Sequence, residues 1–68
     1  MEEDVDTFSV STNEGVIYVS LGRARTVVVY DMLGRQVRRV ACEAGVTEIG
    51  GLDKGVYLVE NVKVYVER

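Results

Sequence analysis

Carboxylates crowd the front of this 68-residue chain, with Glu2, Glu3, Asp4 and Asp6 all inside residues 1–6. Four such groups could gather a cation, but a calcium loop needs them at fixed offsets around a sharp glycine turn. No glycine precedes Gly15, so the cluster reads as a solvated acidic lead-in. Cys42 is the single cysteine, and an activated thiol needs a base beside it, yet the chain contains no histidine. The same composition leaves no pair for an internal disulfide and argues against the usual zinc sites. Cys42 therefore reads as a small, partly buried packing residue. No set of residues here has the types and spacing of a catalytic centre, so the expectation is a protein that is not an enzyme and needs no cofactor or metal.

The elements must then be read for what else they position. A single domain of this length buries only about 60% of the surface its unfolded chain exposes, so its stability is expected to be modest. Apolar residues make up 47% of the chain, valine is prominent and proline is absent, a mix that suits pleated strands. The net charge of −3 provides no electrostatic footprint for nucleic acid or an anionic membrane. No apolar run is long enough to cross a bilayer as a helix, and the acidic front is unlike a secretory signal. Two origins fit: a cytoplasmic protein, or the far end of a longer exported one.

Residues 26–37 form the central stretch, in which three consecutive valines and Tyr30 make a strand and residues 31–34 a reversal. Asp31 is expected to bond back to the turn amides, with Gly34 in the left-handed position. In the outgoing strand Val27 and Val29 share one face, Val28 and Tyr30 the other. Both faces are apolar, so either the strand is covered on both sides or Val28 and Tyr30 belong to an exposed patch that a partner covers; a third layer is unexpected in so small a domain, which favours the patch. In the return strand Val37 and Val40 fall on opposite faces unless a bulge near Arg38 and Arg39 brings both inward and leaves the arginines outside. Phe8 and Val10 begin a first strand, Asn13 to Gly15 turn it, and Ile17, Val19 and Leu21 share one face of a second. Residues 42–45 form a further turn and residues 46–49 a short strand. The alternation in residues 56–67 is best satisfied by a tight hairpin about Glu60 and Asn61, which collects Tyr57, Val59, Val62, Val64 and Val66 on one face and leaves Lys63 on the other.

Short strands at spacings of roughly eight to twelve residues, with turn signals between, predict an all-β fold: a small immunoglobulin-like antiparallel β-sandwich of about seven strands over residues 7–68, after the lead-in of residues 1–6. The expected core is Val10, Ile17, Val19, Val27, Val29, Val37, Ile49, Leu52, Tyr57, Val59, Val64 and Val66.

Three stretches carry a resemblance. Val-Tyr-Asp-Met-Leu-Gly-Arg-Gln-Val at residues 29–37, Gly-Leu-Asp-Lys-Gly-Val-Tyr-Leu-Val at 51–59 and Val-Lys-Val-Tyr-Val at 62–66 together resemble the C-terminal sorting domain of type IX secretion system substrates from Bacteroidetes. The resemblance implies a module without chemistry of its own. It directs a cargo, carried as an N-terminal domain of the parent protein, from the periplasm through the outer-membrane translocon to the outer membrane or cell surface. A sortase commonly removes such a domain just before its first strand. By residue, the resemblance puts Tyr30, Asp31, Gly34 and Arg35 in the first motif, Gly55 and Tyr57 in the second, and Lys63, Val64 and Val66 in the third. Gly34 and Gly55 are expected to serve turns and Tyr57 the core, while Arg35, Lys63 and the terminal residues, including Arg68, are better placed to touch the translocon.

Two departures stand out. Asp53 occupies the usual proline position of the second motif, and the link between Val59 and Val62 is shorter than the family's, which leaves room for a homodimer formed by exchange of the last strand. A second reading is a retained structural or signalling domain of a secretion-apparatus or surface protein that binds a protein partner. A carbohydrate-binding or adhesion sandwich would want an aromatic platform, whereas the four tyrosines are scattered and tryptophan is absent.

Overall fold

The computed structural model describes residues 7–67, so the acidic lead-in and Arg68 lie outside the described residues. Seven strands and no helix are found among them: β1 (Phe8–Asn13), β2 (Val16–Leu21), β3 (Arg25–Asp31), β4 (Gln36–Cys42), β5 (Gly45–Ile49), β6 (Gly55–Val59) and β7 (Val62–Val66). They form two antiparallel sheets, β1-β2-β5 and β4-β3-β6-β7. This is the expected small immunoglobulin-like sandwich. Lettered A to G in chain order, the sheets are ABE and DCFG, so the fourth strand has joined the sheet opposite to the one it occupies in a constant-type immunoglobulin domain.

Three hairpins supply the local structure. β1 and β2 close with Asn13 opposite Val16, and both loop residues have positive φ, 52° at Glu14 and 83° at Gly15, as a mirror-image two-residue turn requires. β6 and β7 close with Val59 opposite Val62 and Tyr57 opposite Val64, the expected register. Glu60 takes a φ of 59° there, an unusual conformation for a residue with a Cβ. The central hairpin joins β3 to β4.

Alternation on each strand sends one set of side chains between the sheets. Ile17, Val19, Val27, Val29 and Val59 are fully enclosed, and Leu21, Cys42, Ile49, Leu52, Tyr57, Val64 and Val66 complete the buried cluster. Each buried aliphatic side chain contributes on the order of 1.5–3 kcal/mol. Val10 and Val37 are only partly buried, packing against the cluster from its margin together with Phe8 and Val40. Val62 shares the inward parity of Val64 and Val66 but stays exposed where the hairpin turns away. Leu21 and Cys42 join the buried cluster instead, because both face inward at the ends of their strands.

The bulge expected near Arg38 and Arg39 lies slightly earlier. Val29 pairs with Arg38 and Tyr30 with Gln36, leaving Val37 as the extra residue. Val37 and Val40 both reach the core margin as expected, but the arginines separate. Arg39, opposite Val28, faces outward, whereas Arg38, opposite Val29, is directed to the inner side of an edge strand. Its guanidinium escapes the core there by donating to the Gly50 and Gly51 carbonyls at 3.4 Å each, and to the Val37 carbonyl at 3.2 Å. A long arginine stem can cover apolar surface while its head leaves the interior.

Candidate functional site

Asp31 organises the central turn. Its Oδ1 accepts from the Leu33 and Arg35 amides at 2.9 Å each, and Oδ2 accepts from Arg35 Nε at 2.9 Å. The Gly34 amide donates to the Asp31 carbonyl at 3.0 Å, and the Asp31 amide to the Arg35 carbonyl at 2.9 Å. Gly34 has a φ of +84°, the left-handed position expected of it. Hydrogen bonds from the Arg35 amide and guanidinium and the Leu33 amide, with the arginine's charge, hold the Asp31 carboxyl below its ordinary value of 3.8. Arg35 is therefore engaged within its own turn.

The second motif is built around Tyr57. Its ring is buried and its hydroxyl donates to the Asp53 carbonyl at 2.7 Å, tying the start of β6 to the loop before it. Gly55 does not serve a turn: it is the first residue of β6, paired with Val66. A Cβ there would meet the Tyr57 ring at an ordinary 3.8 Å.

The third motif is β7, the end strand of its sheet. Val64 and Val66 point into the core, so neither offers its side chain to a partner. Lys63 faces the other way and is exposed.

Apart from Gly55, at the head of β6, and Arg68, outside the described residues, the candidate residues fall into three groups: Tyr57, Val64 and Val66 inside, Asp31, Gly34 and Arg35 at the turn, and Tyr30 with Lys63 on the outer face of the four-stranded sheet. Gln36, Tyr30, Leu58 and Lys63 form one cross-strand row on that face. Val28 beside Arg39 and Val56 beside Tyr65 lie in the adjacent rows, so the apolar patch expected at Val28 and Tyr30 extends across two more strands. Val56, Leu58 and Tyr65 join this face only once the hairpin fixes the side they share. Tyr65 is 58% exposed. It stands between two shallow grooves, one reaching the β1–β2 turn at Asn13 to Gly15, the other bounded by Lys54, Gly55 and Val56.

Glu60 has a role that its sequence position does not signal. Its Oε2 accepts from the Val28 amide at 3.2 Å and its Oε1 from Arg25 at 3.1 Å, while its own amide donates to the Val28 carbonyl at 3.2 Å. The side chain thus extends the β3–β6 ladder by one bond where the backbone turns away. Arg25 in turn lies 5.5 Å from the centre of the Phe8 ring, an attractive cation–ring geometry. Among the described residues no group of three His, Cys, Asp or Glu side chains is placed to hold a metal ion, and the Cys42 thiol is buried.

No family model matches the chain, and no curated protein or solved structure is found to be similar to it.

Proposed function

We propose that the chain is a secretion signal domain of the type IX kind, which directs an attached cargo from the periplasm across the outer membrane to the cell surface. The observation that supports this reading is the adjacency of its three motif stretches: the first supplies β3 and β4, the second β6 and the third β7, and all four strands lie in one sheet. Of the motif residues, Tyr30 and Lys63 then lie in one row on the outer face of that sheet, which a translocon component could read. Among the described residues β7 pairs with β6 alone, with β1 of the other sheet close by, so alternate residues direct their main-chain groups away from their own sheet. A partner strand added there would gain affinity from the main chain, with Lys63 and Tyr65 supplying selectivity. The β4 edge is less suited to this, because its bulge and paired arginines discourage strand addition.

The test fuses the chain to a reporter that folds in the periplasm of a type IX-competent cell. Deleting residues 62–68 is expected to strand the reporter in the periplasm. Because the deletion also removes Val64 and Val66 from the core, the double variant Lys63→Glu, Tyr65→Ser is tested beside it; it leaves the buried side chains in place and is expected to lower surface display. Normal display of the reporter by both forms refutes the reading.

A further inference from the structure

The outer face of the four-stranded sheet has a lateral pattern of its own. Its two central strands carry apolar residues outward, Val28 and Tyr30 from β3, Val56 and Leu58 from β6, all partly exposed. Its two flanking strands carry bases outward, Arg39 from β4 and Lys63 from β7. Neither base has an ion-pair partner among the described residues. Of the carboxylates beside the strip, Glu60 is occupied by Arg25 and the Val28 amide, and Glu67 stands with Lys54 at the groove beside Val56 and Tyr65, at the end of the strip away from Val28. In a chain of net charge −3 an unpaired base thus stands on each flank, Arg39 beside Val28 and Lys63 beside Leu58, with an apolar strip two strands wide between them.

The dimensions select an occupant. β4 and β7 are three strand spacings apart, about 14 Å, and an α-helix with its side chains is about 10–12 Å across. A helix laid along β3 and β6 would place its apolar stripe on Val28, Tyr30, Leu58 and Val56 and its two shoulders beside Arg39 and Lys63. Acidic shoulders complement those bases, and basic ones are repelled. We infer that this face docks an amphipathic helix of a partner protein with acidic residues on both sides of its apolar stripe. This surface shares Lys63 with the β7 edge, but its apolar strip lies on β3 and β6, and it does not depend on the export reading.

The test titrates the full chain with a synthetic helical peptide carrying leucines on one face and glutamates on both shoulders, and with a control in which lysines replace the glutamates. The glutamate peptide is expected to bind about tenfold more tightly than the control, more weakly as salt rises, with NMR shifts concentrated on Val28, Tyr30 and Leu58. Leu58→Glu is expected to abolish binding while the β-sheet circular dichroism persists. The double reversal Arg39→Glu, Lys63→Glu, which leaves the apolar strip intact, is expected to invert the preference between the peptides. Equal affinity for both peptides, no binding of either, shifts confined to another surface, or self-association of the chain through this face would each overturn the proposal.

Discussion

Asp31 makes the stability of the central turn depend on pH. Its carboxylate is held below 3.8 by the Arg35 amide, the Arg35 side chain and the Leu33 amide, so the folded state binds that proton less readily than the unfolded chain does. The resulting stabilisation is fully present above the unfolded value and is lost as pH falls through the lower folded value. Asp31→Asn is expected to flatten the acid limb of the thermal stability curve below about pH 4; an unchanged limb in melts from pH 2 to 6 would count against the role given to Asp31. Tyr57 makes a different kind of bond, from a buried ring to the Asp53 carbonyl at 2.7 Å. Tyr57→Phe keeps the ring and removes one hydrogen bond, so a loss of about 1 kcal/mol is expected in denaturant unfolding. No measurable loss would mean that water replaces the hydroxyl at that carbonyl without penalty.

At the scale of the elements, β4 carries one residue more than its ladder with β3 can use. The bulge absorbs Val37. Deleting Arg39 would let the strand run regularly, with Val37 opposite Val29, Arg38 opposite Val28 and Val40 still opposite Val27. Deleting Val40 instead would bring Arg39 opposite Val27, a side chain that is fully enclosed. The Arg39 deletion is therefore expected to fold with little change in melting temperature. The Val40 deletion is expected to lose about 2 kcal/mol or more, since an apolar residue leaves the core margin and a charge is turned toward it. Equal melting temperatures would show that the bulge is not what sets the register. The same strand marks where sequence reading reached its limit. Parity alone required a bulge, and it was foreseen, but parity does not say which of several positions yields. That depended on Arg38 finding the Gly50 and Gly51 carbonyls, a contact between residues twelve and thirteen positions apart. The hairpins were legible because their signals are local: Asp31 with Gly34, Glu14 with Gly15, and the alternation through residues 56–66. The Glu60 bridge to Arg25 and Val28 was not, since it joins positions more than thirty apart. The outer-face patch was half legible, because Val28 and Tyr30 broke alternation visibly while Leu58 and Tyr65 joined them only through pairing.

For the molecule as a whole, the question is whether β7 stays with its own β6. In the structure it does, closing on a two-residue loop. That loop holds Glu60 at a φ of 59°, a conformation that costs of order 1–3 kcal/mol and that an opened hinge in an exchanged dimer would relieve. Opposing it are the two side-chain bonds of Glu60, to the Val28 amide and to Arg25, which hold the loop residue against β3 in the closed form. A domain of this size has a total stability of about 3–10 kcal/mol, so a balance of a few kcal/mol at one loop is large enough to decide between closed monomer and exchanged dimer. Glu60→Ala removes both side-chain bonds and keeps a Cβ at the strained position, so it tilts the balance toward opening; Glu60→Gly removes the same bonds but also the strain. The native chain is expected to scatter light as a monomer across dilution, Glu60→Ala to show a dimer that grows with concentration, and Glu60→Gly to lie nearer the native chain. If Glu60→Ala and Glu60→Gly dimerise alike, the lost bonds and not the backbone strain govern exchange. If neither dimerises, the loop does not control how β7 is placed.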